Sequence, residues 1–323
     1  MRVDKDFSAA ITLLRFPLAV LVVYIHCQGG PIHFQSIENA EFSYIDIYDL
    51  LRIWLSGIVA SIAVPCFFFI SGYLFFISFQ EEWNSIKWLS KIKKRVSTIC
   101  VPYLLWNIIY ICYIIILKII KGIQYGDYSA IYEYFKEQGW LHLLWDCRTF
   151  GENNINWFGH HVFYTAPALS PLWFLRDLMV VFLLTPIIFY LIKKFSFYPL
   201  ILFGLAYVSR VWPDISGFSA SSIFYFSFGA FFSLTSNNIV AFLYKLRPYT
   251  IYIFLFLSII CALLGGGSTI RGNILLPFCS IVGTLSAFIC ALYFCNKEVP
   301  HIHFLSGSSF FYLCIPLYYN KYF

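Results

Sequence analysis

Residues 8–28, SAAITLLRFPLAVLVVYIHCQ, decide the fold class of this chain. The stretch is as long as a helix that crosses a bilayer, which takes roughly 20 apolar residues. It nevertheless contains Arg15 and His26. An α-helix turns ~100° and rises ~1.5 Å per residue, so these side chains lie on nearly the same face, ~16 Å apart along the axis. Ionisable residues inside membrane helices are costly and commonly mark function, so this face is the first candidate site.

The composition excludes an ordinary soluble domain and predicts an all-α polytopic membrane protein. Hydrophobic residues make up 60% of the chain and charged residues 12%, and the mean hydropathy is +0.75. Soluble domains are typically about half apolar and a quarter charged. We interpret residues 8–28 as a retained span, because the apolar run is too long for a signal peptide and no small-residue cleavage site follows it.

Apolar runs predict about nine transmembrane helices in a single domain over residues 1–323. The predicted spans are 8–28, 62–79, 98–120, 171–192, 197–212, 218–235, 249–266, 274–295 and 308–323. A longer polar segment, 121–170, separates the third span from the fourth and is long enough to form a small extramembrane subdomain. No Cys or His cluster has the spacing of a zinc site, so no metal is predicted.

Charge asymmetry predicts that the N-terminus is cytoplasmic. With this orientation the inner segments hold most basic residues, and the outer ones, including an extracytoplasmic loop at 121–170, hold most acidic residues. The most basic segment contains Lys87, Lys91, Lys93, Lys94 and Arg95. The net charge of +6 then belongs to the inner membrane surface and not to a nucleic-acid site. The basic segment either sets topology alone or also holds the phosphates of a soluble cofactor.

A second pair of charged residues opens the fourth span. Residues 170–178 read SPLWFLRDL, which places Arg176 and Asp177 near the outer boundary, at roughly the depth of His26. A carboxylate beside an imidazole fixes its tautomer and stabilises the imidazolium, as a general base requires. The alternative is that Arg176 and Asp177 form a local interfacial pair and that His26 is an interfacial residue without a chemical role.

The chain resembles the acyltransferase 3 family of integral-membrane O-acyltransferases in a series of motifs that follow in order. These are RFPLAVLVVYIH (15–26), PCFFFISGYLFF (65–76), KIKKRVSTICVPYLLW (91–106), SPLWFLRDL (170–178) and SGSSFFYLCIPLYY (306–319). Two departures stand out. Cys314 occupies a place where family members often carry a histidine, and the chain ends at Phe323 in a ninth predicted span where the family typically has ten.

The resemblance implies transfer of an acyl group, commonly acetyl, from cytoplasmic acyl-CoA to a hydroxyl of an extracytoplasmic glycan or glycolipid. Such a protein is expected in a bacterial inner (plasma) membrane, without a metal and without a nucleic-acid partner. Within that scheme we expect His26 and Asp177 to be catalytic, with His26 as the general base. We expect the donor to be bound by Arg15, Lys93, Lys94 and Arg95, and the channel or acceptor to be contacted by Ser71, Asn107, Trp173 and Arg176.

Two other functions suit the composition. A transporter or flippase of an envelope precursor also has many helices with buried charges, but it predicts an internal repeat. A comparison of the first five predicted spans with the rest shows no such repeat, because the charged motifs lie in the first and fourth spans. The other alternative is a non-catalytic membrane partner in an envelope assembly.

Overall fold

The computed structural model describes residues 5–26, 32–39, 43–150, 155–235 and 237–295. Within these ranges the α-helices are α1 (Lys5–His26), α2 (Tyr44–Arg52), α3 (Ala63–Phe76), α4 (Ser85–Arg95), α5 (Val101–Tyr125), α6 (Ser129–Gln138), α7 (Trp140–Trp145), α8 (Trp173–Phe195), α9 (Tyr198–Ser209), α10 (Ala220–Leu234), α11 (Ile239–Leu263) and α12 (Ile270–Cys295). The strands β1 (Arg148–Phe150) and β2 (Tyr164–Ala166) form an antiparallel hairpin. This helical architecture confirms the predicted all-α membrane fold.

The helices follow the apolar runs of the sequence. Six described segments are long and apolar enough to cross a membrane: Lys5–His26, Tyr44–Phe79, Ser85–Tyr125, Ser170–Phe195, Ile239–Leu263 and Ile270–Cys295. Two shorter apolar helices are Tyr198–Ser209 and Ala220–Leu234. Together these segments contain the first eight predicted spans almost entirely. The ninth predicted span, 308–323, and Cys314 lie outside the described residues.

Helices α3 and α10 form the centre of the bundle because two glycines let their backbones touch. A Cβ atom on Gly72 would lie 2.0 Å from the carbonyl oxygen of Phe226, and one on Gly229 would lie 2.0 Å from that of Phe69. Small residues allow this close approach in membrane proteins, where packing drives helix association. Any side chain at either glycine must therefore push the two helices apart.

The other helices are arranged around this central pair. Helix α1 packs against α12 and α3, α11 packs against α12, and α10 also packs against α8 and α9. The start of α8 reaches α3 through Phe67, whose ring lies 6.3 Å from that of Phe174. Helix α8 thus joins the bundle through α10 and through ring contacts with α3.

One end of the bundle, which we call the basic end, carries α4 and the start of α1. There the ring of Phe7 packs edge-on against Tyr73 of α3 at 4.8 Å. Lys91 Nζ donates to the carbonyl oxygen of Phe75 at 2.6 Å, and Lys87 Nζ donates to that of Ser78 at 2.6 Å. Phe75 lies in the last turn of α3, and Ser78 lies just beyond its end. A cation at this C-terminal end also complements the helix dipole.

The opposite end, which we call the far end, carries a small lobe formed by residues 126–150 and 155–169. It contains α6, α7 and the β1–β2 hairpin, and it corresponds to most of the polar segment predicted at 121–170. Leu143 of α7 is 1% exposed and belongs to the main hydrophobic core, so the lobe is packed onto the bundle.

Candidate functional site

The first candidate site is the face of α1 that carries Arg15 and His26. Helix α1 is continuous from Lys5 to His26, so both side chains project from the same side, as the sequence predicts. Ile11 and Ala19, which share that side, are buried within the bundle. Arg15 is exposed and His26 is half-buried. Within the described part of the chain, neither side chain has a hydrogen bond or an ion pair to another residue.

Asp177 lies at the start of α8 and is 1% exposed. Its Oδ1 accepts hydrogen bonds from Arg176 Nε at 3.0 Å and Nη2 at 2.9 Å, and Ser219 also donates to this carboxylate. No hydrogen bond or ion pair between Asp177 and His26 occurs among the described residues. The expected pair between His26 and Asp177 is therefore not formed among these residues, because Arg176 and Ser219 occupy the Asp177 carboxylate.

Arg176 has a structural role and is not an open cationic site. It is 3% exposed, and its remaining hydrogen bonds run from Nη1 to the Trp145 carbonyl at 2.6 Å and to Thr165 Oγ1 at 3.2 Å, and from Nη2 to the Thr165 carbonyl at 3.0 Å. A guanidinium has five N–H donors, and all of them are used within the protein. This geometry attaches the lobe to α8, in place of the contact with an acceptor that we expected of Arg176.

Asn107 is likewise engaged within the protein. Its side chain is fully buried, Nδ2 donates to the Tyr103 carbonyl at 2.9 Å, and Oδ1 accepts from the backbone N–H of Leu169 at 3.1 Å. Asn107 therefore fixes the segment that leads into α8, and this position gives it no free polar atom pointing to an acceptor.

Two other predicted channel residues lie along α3 and at the start of α8. Trp173 is half-buried, and its ring lies 6.4 Å from that of Phe68 on α3. Ser71 is also half-buried and makes no hydrogen bond to any residue that the structure describes. Of the four residues predicted to line the channel or contact the acceptor, these two keep a partly accessible side chain.

The basic residues predicted to bind the donor do not share one side of α4. The guanidinium of Arg95 lies over the ring of Phe182, 5.0 Å from its centroid, and so faces the bundle. Lys93 lies ~200° from Arg95 around the helix and faces outward. Lys94 is exposed and lies ~100° from Arg95, on the flank between the two. Lys94 and Arg95 can thus approach one anionic ligand together, whereas Lys93 points elsewhere.

The sequence reasoning missed an imidazole–carboxylate pair in the lobe. His142 Nδ1 lies 2.5 Å from Asp146 Oδ1. The spacing of four residues, which places two side chains side by side on a helix, is the signal that can reveal this pair. Among the residues that the structure describes, no group of three or more His, Cys, Asp or Glu side chains has the arrangement of a metal site.

The chain is similar to a known protein family and to a curated protein. The family model acyltransferase 3, described as an acyltransferase domain, matches residues 8–321. The succinoglycan biosynthesis protein ExoH of Rhizobium meliloti (strain 1021) is 28% identical over 237 residues, which are 73% of this chain and 56% of that protein. The match therefore spans little more than half the length of that relative. No solved structure matches the chain.

Proposed function

Because the chain belongs to the acyltransferase 3 family, whose model covers residues 8–321, we propose that it moves an acyl group from acyl-CoA to a hydroxyl of a carbohydrate or glycolipid. Acetyl-CoA is the simplest donor. The donor enters from the cytoplasm and the acceptor lies on the other side of a bacterial inner membrane, with the lobe facing the acceptor. The excess of basic residues at the basic end supports this orientation.

The observation that carries the proposal is the pair of unengaged polar residues on α1. Ionisable side chains in membrane helices normally pair with one another or with backbone carbonyls. Arg15 and His26 have no such partner among the described residues, although they share a face with the buried residues Ile11 and Ala19. A substrate that lies along this face would supply the missing partners.

The reaction needs a base at the acceptor end of that face. His26 accepts the proton of the acceptor hydroxyl as the hydroxyl oxygen attacks the thioester carbonyl. The C–S bond then breaks, the new ester forms, and the CoA sulfur leaves as a thiolate that recovers the proton from the imidazolium. Arg15, ~16 Å nearer the basic end, holds a polar part of the donor's long arm.

Asp177 serves this reaction as a positioning residue. Its carboxylate holds Arg176, and Arg176 in turn holds the lobe against α8. Ser71 and Trp173 keep half-buried side chains, and we assign them to contacts with the substrates. Asn107 keeps the segment before α8 in place.

At the basic end we assign the phosphates of the donor to Lys94 and Arg95. Phosphates are strong hydrogen-bond acceptors, and charge-assisted contacts with Lys or Arg are the strongest available to them. Lys93, which lies on the outward side of α4, contributes only to the general positive field. The relative named for succinoglycan biosynthesis supports a cell-envelope or secreted polysaccharide as the acceptor.

A transfer assay tests the proposed function. Purified protein is incubated with acetyl-CoA labelled in the acetyl group and with the polysaccharide fraction of the source cells, alongside a heat-inactivated control. We expect label in the polysaccharide that mild alkali releases, as it does from an ester, together with one equivalent of free CoA thiol. If a panel of acyl-CoA donors produces neither labelled polymer nor free thiol above the control, the acyltransferase proposal is wrong. Movement of the polysaccharide across vesicles without acyl-CoA would favour the flippase.

A further inference from the structure

The lobe presents an exposed imidazole whose orientation is fixed. His142 lies on α7 and Asp146 directly follows that helix, with Nδ1 2.5 Å from Oδ1, and their side chains are 66% and 24% exposed. The second carboxylate oxygen, Oδ2, accepts a hydrogen bond from Ser216 Oγ at 3.1 Å. Ser216 belongs to the segment before α10, so residues from two separate parts of the chain fix the carboxylate.

A chain of hydrogen bonds runs from Arg176 to the Asp146 carboxylate, and in each of them the group nearer Arg176 is the donor. Arg176 Nη1 donates to Thr165 Oγ1 at 3.2 Å, Thr165 Oγ1 donates to Ser216 Oγ at 2.9 Å, and Ser216 Oγ donates to Asp146 Oδ2. An ionised carboxylate only accepts hydrogen bonds, so His142 Nδ1 must carry the hydrogen in their contact. In the neutral imidazole Nε2 is then an acceptor. It has no partner among the residues that the structure describes.

Helix α7, which carries His142, is also fixed by contacts with the bundle. The carbonyl oxygens of Leu144 and Trp145 accept hydrogen bonds from the Tyr103 hydroxyl and from Arg176, and Leu143 is 1% exposed. If the pair served only to cap α7, there would be no need for Ser216 to bind the second oxygen of Asp146, or for His142 Nε2 to be accessible. The arrangement is that of a preorganised polar contact, in which little freedom is lost when a ligand binds.

We propose that His142 Nε2 accepts a hydrogen bond from a hydroxyl of the acceptor carbohydrate, which makes the lobe an acceptor-binding site. This inference rests on the proposed function, since the acceptor is the substrate that approaches the lobe. It also connects the buried Arg176–Asp177 pair to the orientation of His142. Through Thr165 and Ser216, the buried arginine keeps the imidazole in the tautomer whose Nε2 accepts a hydrogen bond.

The test compares His142→Ala with His160→Ala, because His160 is another exposed histidine of the lobe and has no carboxylate partner in the described structure. Loss of one hydrogen bond of about 1 kcal/mol corresponds to a roughly fivefold rise in the acceptor KM. We expect that rise in His142→Ala, with kcat, the donor KM and the melting temperature unchanged. Asp146→Asn should give a smaller rise, because the amide no longer fixes the tautomer.

Equilibrium binding of the same polysaccharide fraction, measured without acyl-CoA, separates this inference from the proposed function. The proposed function fails if wild-type protein transfers no acyl group, whereas the binding comparison still decides the role of His142. Weaker binding in His142→Ala and wild-type binding in His160→Ala support the site. Equal affinity in His142→Ala and wild type would overturn it. So would equal losses in both histidine variants, or a fall in kcat and melting temperature in His142→Ala.

Discussion

Two arginines in predicted membrane spans have opposite surroundings. Arg176 on α8 is 3% exposed and has all of its N–H donors engaged by the protein. Arg15 on α1 is exposed and makes no hydrogen bond or ion pair with any described residue. A guanidinium that the protein satisfies completely supports the architecture, whereas one left open beside a buried face is available to a ligand. The same residue type therefore has two roles, which only its contacts distinguish.

The largest effect is expected when the satisfied arginine is removed. Arg176→Ala leaves the Asp177 carboxylate buried without its cation, a change that commonly costs about 3–5 kcal/mol. We expect a clear fall in the melting temperature of the detergent-purified protein, followed by circular dichroism, with Arg15→Ala as the matched control. Wild-type stability in Arg176→Ala would remove the distinction between the two arginines.

Removal of the open arginine should instead weaken donor binding. We expect Arg15→Ala to raise the Kd for acyl-CoA about tenfold, which is ~1.4 kcal/mol, while the melting temperature stays near that of the wild type. Arg15→Lys keeps the charge but not the planar guanidinium, so its affinity should be intermediate. Isothermal titration calorimetry with a non-hydrolysable acyl-CoA analogue measures both variants. An unchanged Kd in Arg15→Ala would exclude Arg15 from the donor site.

A smaller effect should distinguish the two neighbouring lysines of α4. Lys94→Gln is expected to raise the donor KM two- to threefold, since an exposed charge contact contributes about 0.5 kcal/mol. Lys93→Gln, on the outward side of the helix, should raise the donor KM less than Lys94→Gln, because Lys93 contributes only to the general positive field. The difference should shrink at 0.5 M salt because exposed charges are screened. Equal effects of the two substitutions would mean that α4 acts through its general field alone.

The sequence predicts the helices and the first candidate face well because both depend on local regularities. Long apolar runs report where spans lie, and the period of the helix places Arg15 and His26 on one side. The basic residues are harder to interpret, because Lys93 lies between the predicted spans 62–79 and 98–120, where no helical period is predicted. Once Ser85–Arg95 is recognised as a helix, the same period separates Lys93 from Arg95.

The Arg176–Asp177 ion pair, one of the two alternatives for this segment, is formed. The other partners of Arg176, however, could not be predicted in this way. Successive residues on a helix point ~100° apart, so Arg176 and Asp177 are not neighbours on the helix surface. The long arginine side chain nevertheless folds back onto the carboxylate while its other donors reach Trp145 and Thr165. Those contacts depend on where the lobe packs, which no local pattern reports.

The role of His26 as the general base is tested by the rate of acyl transfer in His26→Ala, measured in a single turnover with saturating donor and acceptor. Removal of a general base commonly lowers the rate by about 10²–10⁴. We predict a loss of this size in His26→Ala, with the acyl-CoA Kd and the melting temperature retained. Transfer at the wild-type rate in a folded His26→Ala protein would contradict the assignment of the catalytic base to α1.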